Sequence, residues 1–376
     1  MTAAVAREYG GDVVAVTRRL SPRPIAGWLF DGGAQLRSGP EAGGVAGWLT
    51  ASGEAVYVYP EISGYYLQWL AWRALRQRGA TAALRRRASS AQRWLRSWVE
   101  RGELPPTRIY LREHQADWRN DAVFFFDVAM VVRGVASAVS ARLIEPDFVL
   151  VGRLAELLLQ LVGDDGQFDA CVTTQASPLP ERWSTRRGGF LAKAAAGVLC
   201  AAKVLPHIAT LQSVAETTLE ASLRMATVSP HAETHPLLYA IEGALSVPGH
   251  QAVAPLIEAF TAQVDVLLQQ TTPHGELPES RFRSGIPRLD IVAQTLRAAS
   301  LLQRRAHRWC PDPLAMERMR QGLARHVTHD GALPIDPTEP VPQYNVWCAM
   351  FADQALQVAQ HRDDGPSLDD LETCLV

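Results

Sequence analysis

Tyr59-Pro60-Glu61-Ile62-Ser63-Gly64-Tyr65-Tyr66-Leu67-Gln68-Trp69-Leu70-Ala71-Trp72 reads as a helix entered through a proline. Proline is favoured in the first helical turn, where its missing N–H is not needed. Beyond that turn the segment is apolar on nearly every face, so neighbours must bury it all round. Its start is polar, with a carboxylate, a serine and two tyrosines. A buried helix with a polar first turn points those groups at a site. The stretch is therefore read as the first inner helix of a closed ring, with its polar end opening onto a cavity.

Working outward, the same kind of segment recurs and alternates with amphipathic ones. The apolar segments are Pro60–Gln77, Asp121–Ala141, Gly188–Leu205, Thr234–Ser246, Leu289–Gln303 and Tyr344–Gln360. Between them lie Thr81–Glu100, Asp147–Val162, Leu211–Thr227, Ala252–Gln270 and Pro313–Val327, more polar and suited to an outer layer. Four of these amphipathic segments stop at a glycine followed by x-Leu or a nearby Phe: Gly102, Gly166, Gly275 and Gly331. The glycines are expected to be C-caps. Repetition of buried and amphipathic helices predicts an all-α (α/α)6 toroid. An open solenoid would expose its apolar concave face to water. Ala3–Leu20 is the candidate for the outer helix that closes the ring, and Ser21–Gly53 is a turn-rich connection. The expected organisation is an N-terminal segment over residues 1–57, a barrel over 58–361 and an acidic tail over 362–376. Strands are expected only as short pieces near Tyr57 and Ile109.

Bulk properties exclude several classes. The 376 residues are 47% hydrophobic and 20% charged, with a formal charge of −2. This balance gives no basic face for nucleic acid. No run of apolar residues is long enough to span a membrane, and the start lacks the pattern of a signal peptide. A cytoplasmic protein is expected. The five scattered cysteines include no C-x-x-C pair, and His231, His235 and His274 are not read as ligands, so neither a metal nor another cofactor is expected.

Gly43-Gly44-Val45-Ala46-Gly47-Trp48-Leu49 followed by Tyr59-Pro60-Glu61-Ile62-Ser63-Gly64-Tyr65 resembles the opening of bacterial (α/α)6-barrel, six-hairpin glycosidase-like proteins of exopolysaccharide and specialised-metabolite gene clusters. Val123–Asp127 resembles their second inner helix and Thr234–Gly243 their fourth. In the fifth only Gln294 fits, and Asp290 stands where a small polar residue is expected. The resemblance implies a six-hairpin toroid shared with glycosidases, uronyl hydrolases and sugar epimerases. It does not fix a reaction, because one fold hosts many.

In such a ring the N-terminal ends of the inner helices converge on one mouth. The candidate catalytic residues are Asp127, Glu61, Glu242 and Asp290. Paired carboxylates can serve as acid and base in glycoside cleavage, and a helix N-terminus favours their ionised forms. Salt bridges or caps would be the structural alternative. Arg187, Arg281, Arg283 and Arg288 precede inner helices three and five and are read as a clamp for a carboxylate, sulfate or phosphate. Lys193, His235, Tyr239, Tyr65, Asn345 and Trp347 complete the substrate-binding set. Two enzymatic expectations follow. One is a hydrolase, lyase or epimerase acting on a uronic-type sugar. The other is a cyclase of specialised metabolism that closes an aziridine-type ring and expels sulfate. A non-catalytic assembly protein is the third reading. The expected partner is a small anionic substrate, free or carrier-protein-bound, with a small partner protein or a second copy of the chain as further candidates.

Overall fold

The computed structural model describes residues 23–77, 79–112, 115–173, 178–228, 233–280, 285–306, 308–360 and 375–376. Among them are thirteen α-helices: α1 (Arg23–Asp31), α2 (Pro60–Arg76), α3 (Ala82–Val99), α4 (Phe125–Ser140), α5 (Phe148–Gln160), α6 (Leu191–Ala202), α7 (Pro206–Ala209), α8 (Gln212–Val228), α9 (Thr234–Ser246), α10 (Ile257–Gln270), α11 (Leu289–Arg305), α12 (Pro313–His326) and α13 (Val346–Gln360). Helices α2, α4, α6, α9, α11 and α13 pack each on the next, and α13 returns to α2. That closure defines an (α/α)6 toroid, as the alternating segments predict. Helices α3, α5, α8, α10 and α12 form the outer layer.

Local chemistry sets the boundaries. Pro60 opens α2, and the side chains of Thr81, Asp147 and Asp312 accept backbone N–H groups at the starts of α3, α5 and α12. Such caps satisfy donors that a helix start leaves without partners. The inner helices bury almost their whole length; every residue of α9 is buried.

Short antiparallel ladders tie the mouth together. They are β1 (Trp48–Leu49) with β6 (Tyr344–Asn345), β2 (Tyr57–Val58) with β3 (Ile109–Tyr110), and β4 (Ala122–Phe124) with β5 (Cys171–Thr173). The β2–β3 pair lies where strand was expected. The other two move helix starts. Helix α4 begins at Phe125 rather than Asp121 because 122–124 are held extended by β5. Helix α13 begins at Val346 because 344–345 pair with β1. Asp127 therefore falls in the first turn of α4, not deep inside it.

Two further expectations change. Gly102, Gly166, Gly275 and Gly331 all have positive φ, but the last three stand five or six residues beyond their helices. They build a repeated turn instead of a C-cap. Gly166 N bonds Gly163 O at 3.0 Å, Gly275 N bonds Thr272 O at 2.9 Å, and Gly331 N bonds Thr328 O at 3.0 Å. Ala3–Leu20 lies outside the described residues. Helix α1, inside the stretch read as turns, packs on α13 and buries Ile25, Trp28 and Leu29. Among the described residues no helix is long and apolar enough to cross a membrane.

Candidate functional site

A cavity of about 320 Å³ opens at the N-terminal ends of the inner helices. Glu61 and Ile62 of α2, Phe126 and Asp127 of α4, His235 and Tyr239 of α9 and Trp347 of α13 form its inner wall. Loops supply Tyr59, Arg108, Trp118, Arg119, Arg182, Trp183, Glu279 and Arg288.

Glu61 and Asp127 stand in contact at the bottom, each 8% exposed. Both come from first helical turns, so neither position is an accident of core packing. The Tyr59 hydroxyl donates towards both carboxylate oxygens of Asp127, at 3.2 Å each. Burial and then repulsion by Glu61 push the Asp127 carboxyl well above the usual range. Burial also raises Glu61, while the Tyr59 hydroxyl, Lys193 and Arg108 favour its charged form. Two touching carboxylates in a dry setting cannot both ionise readily. Burial raises both carboxyls, and a proton held between them belongs to the pair rather than to either residue.

His235 lies on the α9 side of the cavity. Its Nδ1 is 2.6 Å from Gln294 Oε1. The Gln294 amide nitrogen donates to Glu242 Oε2 at 3.0 Å, which leaves its oxygen to accept from His235. Nδ1 thus carries the proton and Nε2 keeps its lone pair. Burial lowers the imidazole to about 4, so it is neutral near pH 7.

Other sequence candidates separate by position. Arg288 lines the cavity but is bound to Asp290 Oδ2 at 2.6 Å and Glu279 Oε1 at 2.8 Å. Asp290 is fully buried behind it; burial acts to raise its pKa, but Arg288 and His235 overcome this and hold it low. Trp347 Nε1 points at Asp290 from 3.4 Å. Glu242 and Lys193 are not cavity-lining residues. They form a fully buried ion pair at 2.8 Å beneath it, and Arg297 also bonds Glu242. Tyr65 is buried beside them, with the Lys193 ammonium 4.9 Å from its ring centroid. Asn345 is fully buried, and its Oδ1 accepts from Cys348 N at 2.9 Å. Arg187 lies away from the cavity lining, on the acidic turn of Asp165 and Asp169 that draws its guanidinium outward. Arg281 and Arg283 lie outside the described residues.

The loops add what the sequence reading lacked. Trp118 and Trp183 give the mouth aromatic walls. Arg119 sits over the Trp118 ring at 4.7 Å and Arg182 at 6.0 Å. Arg108 lies over Tyr59 at 5.5 Å. Adjacent arginine and tryptophan in the loops before inner helices two and three, Trp118-Arg119 and Arg182-Trp183, were the available signal. His231 and His235 share a four-residue spacing, but α9 starts at Thr234 and His231 lies outside the described residues. Among the described residues no group of three His, Cys, Asp or Glu could hold a metal.

No family profile matches this chain, and no curated protein matches it by sequence. Solved structures do share its architecture. A D-mannose isomerase aligns with a TM-score of 0.65 at 10% identity, over 90% of this chain and 96% of that one. Cellobiose 2-epimerase from Spirochaeta thermophila DSM 6192 gives 0.61 at 13% identity, over 90% and 96%. Unsaturated glucuronyl hydrolase from Bacillus sp. GL1 gives 0.59 at 14% identity, over 89% and 93%. All are six-hairpin, glycosidase-like (α/α)6 barrels, and this chain has that fold.

Proposed function

We propose that this chain is an (α/α)6-barrel enzyme that moves protons on a small, anionic, carbohydrate-like substrate. The Glu61–Asp127 pair facing an open cavity carries the reading. Its geometry weighs against hydrolysis by these two groups. Inverting glycosidases hold their carboxyls roughly 6.5–9.5 Å apart and retaining ones about 5–5.5 Å apart, to make room for water or a nucleophilic attack. Carboxyls in contact share a proton instead. Asp127 is the acid, and Glu61 and Tyr59 hold it in place. His235, uncharged and with Nε2 bare, is the base. Removal of a proton from the carbon beside a carbonyl, with delivery of the Asp127 proton to that carbonyl oxygen, forms an enol. Return of both protons gives an epimer or an isomer with no net change of atoms. Trp118 and Trp183 suit the apolar face of a sugar ring. Arg182 has no carboxylate partner among the described residues and suits an acidic group at the mouth.

A second reading is favoured by the same cations. A base takes a proton from an amine or hydroxyl, the freed electron pair closes a ring, and an anion such as sulfate departs towards Arg182, with Arg119, paired to Asp117 at 3.0 Å, beside it. Stabilisation of charge where it develops is the main work of such a site.

Incubation with aldoses, uronic acids and sulfated amino alcohols in D2O, followed by proton NMR and ion chromatography, tests both. Deuterium entering a carbon next to a carbonyl supports the first reading, and release of sulfate with ring closure the second. Cleavage of a glycoside without exchange, retained in Asp127→Asn, would overturn them.

A further inference from the structure

Leu375 and Val376 lie inside the ring, 2% and 0% exposed. They follow a tail rich in Asp and Glu, so their burial is not what the local composition predicts. Val376 N donates to Gln354 Oε1 at 3.1 Å. Its main-chain oxygen accepts from Lys193 Nζ at 2.9 Å and from an Arg297 terminal nitrogen at 2.8 Å. These partners come from α13, α6 and α11, three different inner helices, which puts the segment in the interior of the barrel. A buried backbone donor and acceptor must both be satisfied, and here both are.

The cations that hold Val376 also hold Glu242. Lys193 donates to Glu242 Oε2, and Arg297 donates to Oε1 from two nitrogens. Glu242 receives the Gln294 amide, and Gln294 receives Nδ1–H of His235. An unbroken path of hydrogen bonds thus runs from Val376 to the imidazole in the cavity. The links to His235 have a defined direction: Glu242, held as a carboxylate, accepts only, so the Gln294 amide must point its nitrogen at it and its oxygen at His235.

We propose that Leu375–Val376 is a positioning segment of the site: docked on Lys193, Arg297 and Gln354, it holds Glu242 and Gln294 so that His235 presents a bare Nε2 to the cavity. The importance of that tautomer rests on the proton-transfer reading above; the positioning itself does not. Without the segment, Lys193 and Arg297 lose a shared acceptor and water fills the space. Glu242 keeps its bonds to Lys193 and Arg297, but those side chains are no longer fixed from the far side, so Glu242 and the Gln294 amide are held in one orientation less firmly.

The test uses protein labelled with 15N-histidine, with His235→Gln to assign the resonances. In the intact chain Nδ1 resonates as a protonated nitrogen and Nε2 as a bare one. A chain cut after Cys374, or Leu375→Asp, which places a charge in the apolar part of the dock, shifts both towards averaged values. The tautomer ratio is expected to fall about tenfold, the worth of roughly one hydrogen bond. An unchanged His235 spectrum in either variant that folds overturns the proposal. If the shortened chain does not fold, Leu375→Asp decides. The spectrum needs no substrate, so the two ideas fail separately. An intact chain inactive on every compound but showing the shift sinks the reaction; an active enzyme with His235 unmoved sinks the positioning.

Discussion

Asp127 and Glu61 set stability and chemistry against each other. Asp127 has a folded pKa above its unfolded value. Whatever stability it contributes is complete below the unfolded value and is lost as pH rises through the folded one. Asparagine copies the protonated form and has no charge to lose. Asp127→Asn is therefore expected to melt at or above the wild-type temperature at pH 8, while activity falls by about 10²–10⁴, the usual worth of a general acid. Calorimetry beside a rate assay checks this; a variant that is both inactive and less stable would mark the residue as structural. The pH profile follows from the same groups. Activity rises as His235 becomes neutral above about pH 4, and falls as Asp127 loses its proton. Because the Glu61 charge raises Asp127, Glu61→Gln moves the alkaline limb of kcat/KM to lower pH. A limb that stays in place, or moves up, would separate the two carboxyls.

At the scale of elements, the site depends on how closely α2 and α4 cross. A Cβ on Gly134 would stand 2.2 Å from Gly64 O, and one on Gly64 would stand 2.5 Å from Met130 O. Those backbones touch only three to seven residues from Glu61 and Asp127. Gly134→Ala must push the helices apart, at a cost of about 1–3 kcal/mol by the usual penalty of overpacking. A lowered melting temperature with a weaker rate is the expected result, whereas Gly152→Ala on α5, where a Cβ meets nothing within 4 Å, leaves both unchanged. This scale was the most legible in the sequence. The apolar run of α2, entered through Pro60, and the bounds of α9 follow from local composition alone. What local reading could not supply was pairing between distant segments. β4 borrows residues 122–124 from the expected helix because residues 171–173 lie beside them, and nothing local announces that. The same limit applied to the cavity. Glu61, Asp127 and His235 could be placed there by helix polarity, but Trp118, Arg119 and Arg182 arrive on loops whose path the ring dictates. Charge partners were equally non-local. Glu242 and Lys193, both read as site residues, find each other across the ring beneath the cavity.

Taken as a whole, the toroid is a hydrophobic ring with a charged centre. Lys193, Glu242 and Arg297 are each fully buried, and Trp69 Nε1 bonds Asp353 at 2.8 Å where α13 closes on α2. A buried ion pair adds little over a well-packed apolar core, but breaking one by removing a partner is costly. Glu242 is the carboxylate that Lys193 and Arg297 share, so Glu242→Gln strands the buried Arg297 charge and the buried Lys193 amine, which burial already lowers to about 7. About 3–5 kcal/mol of stability should be lost, in line with other broken buried pairs. Lys193→Met added to Glu242→Gln should recover part of it, since one of the stranded buried polar groups is then gone. The pH dependence provides a second check with a definite sign. Burial acts to raise Glu242, but Arg297 and Lys193 overcome it and hold it below 4.5. The stability it contributes is therefore present above the unfolded carboxylate value and is lost as pH falls through the lower folded one. Urea unfolding midpoints at pH 7 and in the acid range should converge between wild type and Glu242→Gln as pH falls. A gap between them that stays constant across that range would mean that the carboxylate acts through packing, not charge.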